Sequence, residues 1–166
     1  FQLTPKDIVY RVNAADVKMI VSVSDEEIVG HIKNALPDCN VKPLVATLGK
    51  QTYPEEGFID YKKELYAQNS HWDRPTGADA TSNDDCMLIY FSSGTTGMPK
   101  MVWHDFAFPL GHITTARFWQ RVQENTVHLT QTDSGWAKFA WGKIYGQWIC
   151  GAAIGAYDTE KFHPHE

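Results

Sequence analysis

Residues 88–102 read LIYFSSGTTGMPKMV, an apolar run that leads into Ser92, Ser93, Gly94, Thr95, Thr96, Gly97 and, past Pro99, Lys100. Glycine adopts positive φ and lets an anion approach the chain. A glycine-rich loop directly after a strand can therefore turn its N–H groups toward phosphate. The four hydroxyls add donors without bulk, and Lys100 adds a positive charge able to reach phosphate oxygens. Spacing excludes the Walker P-loop, which needs GxxxxGK[ST]. Here Gly94 and Gly97 are three apart, Pro99 intervenes and Met101 follows the lysine. A hairpin turn rich in small polar residues is the plainer alternative. Yet a two-residue hairpin needs only Asn-Gly or Gly-X. Four hydroxyls, two glycines and a lysine within nine residues are more than that. A longer loop with several phosphate donors fits better.

Other chemistry-bearing residues point to less. Cys39, Cys86 and Cys150 are odd in number and widely separated, which fits neither a disulfide framework nor CxxC metal spacing. Reduced thiols in a cytoplasmic protein are expected. His163 and His165 flank Pro164 and could take a metal adventitiously, but a frayed chain end is the simpler reading. The 166 residues are 43% hydrophobic and 21% charged with a net charge of −5, an ordinary globular composition. No basic block suits nucleic acid, and no apolar run reaches the roughly 18–20 residues a bilayer span needs. No signal-peptide pattern stands out.

The elements that must position the loop follow from caps and periodicity. Thr4-Pro5-Lys6-Asp7 predicts a helix start, with Ile8, Val9, Val12 and Ala15 as its stripe. Val17–Val23 reads as a buried strand. Ser24-Asp25-Glu26-Glu27 reads as a capping box with Ile28, Ile32 and Leu36 behind it. A second strand is expected over 41–48 and a short helix around 60–68, after which 69–85 is a polar loop. Cys86–Phe91 is predicted as the strand that delivers the loop, and 101–104 as a short return. Asp105 should cap a helix running to about Trp119. A strand over 126–132, an aromatic-rich helix over 136–150 and a strand over 152–157 complete the pattern. This alternation predicts an α/β fold, a layered sheet with parallel pairing and flanking helices. The expected divisions are a helix–strand unit over 1–68, the loop over 69–85 and a loop-bearing unit over 86–166.

SSGTTGMPK closely resembles the signature loop of the adenylate-forming (AMP-binding) superfamily, whose usual form is [ST]SGTTGxPK behind an apolar strand. The resemblance extends to 3–21 upstream and to TDSGW at 132–136. The wording of GWAKFAWGKIYGQWICGA (135–152) is most like acetyl-CoA and medium-chain acyl-CoA synthetases. The fold so implied is part of the N-terminal domain of an acyl-CoA synthetase. Both ends of the chain look cut, and the family's adenine segment and small lysine-bearing domain are not found here.

The activity implied is AMP-forming ligation of acetate or a short- or medium-chain fatty acid to CoA, with ATP and Mg²⁺. By the resemblance, Ser92, Ser93, Gly94, Thr95, Thr96, Gly97 and Lys100 hold the ATP phosphates, and Thr96 meets the metal. Gly94 and Gly97 let the loop open as a lid. Trp119, Trp136, Ala137, Lys138 and Trp141 are implied as acyl-pocket residues. Six tryptophans, four of them between 119 and 148, suit an aromatic-walled pocket. Trp141, Tyr145 and Trp148 at helical spacing suit a packed core equally well. The chain alone is expected to be inactive. A stand-alone nucleotide- or phosphate-binding module is the alternative.

Overall fold

Thr4 starts the first helix in the computed structural model, which describes residues 3–93 and 97–157. Its hydroxyl accepts from Asp7 N at 3.4 Å, and the Asp7 carboxylate accepts from Thr4 N at 3.0 Å. This closes the reciprocal box that satisfies two free helix amides. Helix α1 (Pro5–Ala15) then ends at Asp16 in the left-handed region, φ 49°. Strand β1 (Met19–Val23) and helix α2 (Glu26–Ala35) follow. Asp25, not Ser24, caps α2: its Oδ1 accepts from Glu27 N and Ile28 N at 3.0 and 3.2 Å. A carboxylate at a helix N-terminus is the stronger acceptor. Ser24 turns instead to the 49–53 turn, where its hydroxyl accepts from Gln51 N.

Strand β2 (Leu44–Leu48) begins three residues later than expected, after Pro43. It runs parallel to β1 in the register Met19↔Leu44 to Val23↔Leu48. The two-residue β3 (Ile59–Asp60) adds a third parallel strand, and Asp60 Oδ1 caps helix α3 (Tyr61–Ala67) by accepting from Lys63 N. Val12, Val29, Ile32, Ala35, Val45 and Ala46 are buried. Full burial of each larger aliphatic side chain among them contributes on the order of 1.5–3 kcal/mol.

The chain divides into two compact units between Pro75 and Thr76. In the second, β4 (Cys86–Ser92) and β5 (Lys100–Asp105) form an antiparallel hairpin paired from Cys86↔Asp105 to Ser92↔Lys100. Asp105 Oδ1 accepts from Ala107 N and Phe108 N at 3.0 and 3.1 Å, so it serves the first turn of α4 (Phe108–Thr114). A π-helical segment, Thr115–Trp119, continues α4 to the expected end. The aromatic-rich helix is α5 (Ala137–Phe139), a π-helical segment Ala140–Tyr145 and α6 (Gly146–Ile149) in direct succession.

The two strands expected around it are much shorter. β6 (Val127–His128) and β7 (Ala153–Ile154) pair in parallel over two residues each. Asn125 at φ 59° turns the chain into β6, and past His128 the Thr130 side chain bonds to a helix carbonyl. The unit's core is Ala116, Val122, Cys150 and Ala152, with Ile113 packed against it. The architecture is a mixed α/β one, with two parallel sheets, one antiparallel hairpin and helices.

Candidate functional site

The loop is the connection of the β4–β5 hairpin. Strand pairing brings Ser92 opposite Lys100, which holds the hydroxyl and the ammonium at one end of the ribbon. Ser92, Ser93, Gly97 and Lys100 are all exposed. Gly97 sits at φ +95° with nothing within 4 Å of the position a Cβ would take. Its glycine is therefore required by backbone conformation and not by crowding. Gly94, Thr95 and Thr96 lie outside the described residues, and with them the metal role implied for Thr96. The hairpin and the phosphate-loop readings are compatible: the turn exists, but its connection is far longer than two residues.

Side chains alternate across a strand, and residues opposite one another share a face. Ser92 and Lys100, Tyr90 and Val102, and Leu88 and His104 thus form one continuous face of the ribbon. From that face an aromatic row leads to the helices. The Tyr90 and His104 rings lie 5.5 Å apart, His104 and Phe108 4.1 Å, and Phe108 and His112 4.6 Å. His112 then stacks on Trp141 at 5.4 Å and 18°, and Trp141 meets Trp119 at 6.2 Å. Tyr90 Oη and His112 Nδ1 are buried atoms without hydrogen-bond partners. Burial pushes the Tyr90 hydroxyl above its ordinary value, helped by the nearby Tyr145; burial, then His104, holds the His112 ring below its own.

Of the residues implied for the acyl pocket, Trp119 and Trp141 come together. Trp136 is the N-cap residue of α5 and is 68% exposed, Ala137 is half-buried and Lys138 is exposed. The helical spacing of Trp141, Tyr145 and Trp148 does not place all three in a core. Trp141 and Tyr145 are half-buried while Trp148 is 64% exposed. The π-helical segment between Ala140 and Tyr145 is the reason, since an i→i+5 turn carries an extra residue and rotates the helix beyond it.

Sequence reasoning missed the polar centre of this unit. Gln147 is fully buried, and its Nε2 donates to Gly142 O at 2.6 Å and to Gln120 Oε1 at 3.0 Å. Gln120 Nε2 and Thr130 Oγ1 donate to the same Gly142 O at 3.0 and 2.7 Å. Lys143 is buried too, its Nζ bonded to Thr130 O and 5.8 Å from the Phe139 ring. The available signal was weak: a glutamine on an aromatic-rich helix that also carries two lysines and two glycines four residues apart. Cys39, Cys86 and Cys150 are free thiols. Among the described residues no group of three or more His, Cys, Asp or Glu could hold a metal, and no helix is long and apolar enough to cross a membrane.

A family model described as AMP-binding enzyme matches residues 1–166. The mouse protein acyl-coenzyme A synthetase ACSM3, mitochondrial, is 35% identical over 163 residues, 97% of this chain and 27% of the relative. Mouse acyl-coenzyme A synthetase ACSM5, mitochondrial, is 34% identical over 163 residues, 96% of this chain and 26% of its own length. Among solved structures, Brucella canis acyl-CoA synthetase shares the fold with a TM-score of 0.75 at 20% identity, over 92% of this chain and 26% of that one. The anthranilate CoA ligase AuaEII in complex with anthranoyl-AMP gives 0.74 at 17% identity, over 92% and 28%. The chain thus spans about a quarter of the length of the relatives it matches. These names also correct the cytoplasmic expectation, because the curated relatives are mitochondrial proteins and nothing in a cysteine count distinguishes the two compartments. Matched over its whole length, the chain belongs to the AMP-binding enzyme family.

Proposed function

We propose that this chain carries the ATP phosphate-binding loop and part of the acyl pocket of an AMP-forming acyl-CoA synthetase. Its substrate is acetate or a short- or medium-chain carboxylic acid. The single observation behind this is the hairpin that sets Ser92 opposite Lys100 at the mouth of a glycine-containing connection. The relatives' names support the ligase chemistry and a mitochondrial location.

The first half-reaction is attack of a carboxylate oxygen on the α-phosphorus of ATP, breaking the bond to the β-phosphate and releasing pyrophosphate. Negative charge grows on the leaving group. Lys100, the Ser92 and Ser93 hydroxyls and the loop amides stabilise it where it develops, which is how prepositioned donors lower a barrier. Gly94, Thr95 and Thr96 belong to the same loop, and Gly97 supplies the left-handed turn that lets it open and close. In the second half-reaction the thiol of CoA attacks the acyl carbon and AMP leaves. Magnesium characteristically binds substrate phosphates with few protein oxygens, and Thr96 is the loop hydroxyl assigned to it. Trp119 and Trp141 form the aromatic wall against which the acyl chain lies, with Trp136, Ala137 and Lys138 at its rim.

The test is carboxylate-dependent ATP–pyrophosphate exchange by the native protein that contains this chain. Exchange is expected, with Lys100→Ala lowering it by about 10²-fold, the scale of losing one transition-state donor. The 166 residues alone are expected to give none. A native protein that binds ATP yet shows no exchange with any carboxylate would be a binding module instead.

A further inference from the structure

The π-helical segment Ala140–Tyr145 has a visible origin. Gly146 N bonds back five residues to Trp141 O, so it is not free for Gly142 O four residues back. Gly142 O instead takes three side-chain donors from three places: Gln147 on α6, Gln120 after the first π segment and Thr130 after β6. The two hydrogens of Gln147 Nε2 are met by Gly142 O and Gln120 Oε1, with His128 Nδ1 3.4 Å away, which fixes the amide's orientation. At position 142 a Cβ would stand 3.1 Å from Lys138 Cγ and 3.5 Å from Gln120 Nε2, so the Lys138 side chain would have to give way slightly. Gly146 likewise lets the helices touch, since a Cβ there would lie 2.9 Å from Ala116 Cβ and 3.0 Å from Trp141 O.

We infer that Gln147, with Gln120 and Thr130, is a positioning clamp that holds the π register and thereby aims Trp141, setting which acyl chains the pocket accepts. A buried carbonyl deprived of its helical amide is costly unless other donors reach it. Without the clamp the helix gains by returning to α register, where Gly146 N serves Gly142 O. That change removes one residue from the turn and swings Trp141 relative to the 6.2 Å contact with Trp119 and the stack on His112. In this reading the three residues act through Trp141 and not by touching the acyl chain. This deepens the proposed function and rests on its reading of Trp141 as a pocket wall.

The experiment compares wild-type native protein with Gln147→Met, which keeps volume but removes the donors, and Thr130→Val, which removes one donor if the first variant does not fold. Two readouts are taken. The first is the ratio of kcat/KM across a series of straight-chain acids from acetate to octanoate, with KM for ATP as a control. The ratio between neighbouring acids is expected to change at least about fivefold while KM for ATP stays within about twofold; one methylene in a hydrophobic pocket can be worth roughly 10–200-fold. A general loss of stability would lower all acids in parallel. The second is the far-ultraviolet circular-dichroism couplet of the Trp119–Trp141 pair, which needs no turnover. It is expected to lose most of its amplitude. An unchanged ratio and an unchanged couplet in a folded variant would overturn the clamp. If the wild type activates no carboxylate, the proposed function fails, and the couplet alone decides whether the clamp aims Trp141.

Discussion

His112 shows how one residue joins the hairpin to the helix pair. It lies between Phe108 and Trp141, with His104 as a nearby charge, and burial favours its neutral form. The unfolded chain takes up the proton more readily than the fold does. Stability is therefore fully present above the ordinary histidine value of about 6.5 and falls as pH drops below it toward the lowered folded value. His112→Phe keeps a ring against Trp141 and removes the titration. Urea midpoints measured from neutral to mildly acidic pH should fall more steeply for the wild type than for this variant. Parallel slopes would show that the ring is not held neutral by the fold. Legibility at this scale was uneven. Ser92, Gly97 and Lys100 stand out by type and spacing alone, because a turn does not need them all. Nothing in the types of Tyr90, His112 or Gln147 announces a buried atom, because burial depends on contacts between residues as far apart as Gln120 and Gly142.

Among the elements, those with local signals were legible: the helix start at Thr4, the parallel β1–β2 pair and the β4 strand all formed near their expected places. The two π segments were not. A periodicity of 3.6 presupposes an α-helix, whereas these turns answer to tertiary donors and to the close Ala116–Gly146 approach. The two-residue β6 and β7 were overestimated because an apolar run carries no record of how little of it finds a partner. Glycine substitutions separate the cases. At Gly30, within α2, an added Cβ meets nothing within 4 Å, so Gly30→Ala should stabilise by about 0.5–1 kcal/mol through helix propensity and the unfolded chain. At Gly146 the same propensity gain meets the Ala116 methyl and the Trp141 carbonyl, and overpacking of that kind costs about 1–3 kcal/mol. Chemical denaturation of both variants should give opposite signs, and a stabilised Gly146→Ala would mean that the two helices can part at little cost.

At the scale of the whole molecule, the first unit leaves several large apolar side chains exposed along one pair of strands. Met19 and Val23 on β1 share a face with their register partners Leu44 and Leu48 on β2, and Val21 stands between them opposite the buried Ala46; apart from Ala46, each is at least 40% exposed. Contiguous patches of this kind normally meet other protein. The chain spans about a quarter of its relatives' length, so the rest of a longer polypeptide is the natural cover for this face. The 166 residues expressed alone should then associate as concentration rises, against the mild repulsion of a net charge of −5. Sedimentation velocity across a concentration series reads this directly. Val21→Lys with Leu44→Glu should return the distribution toward monomer, because charged groups resist desolvation at such a contact. A chain that stays monomeric throughout would locate its stability elsewhere and leave the β1–β2 face as ordinary surface.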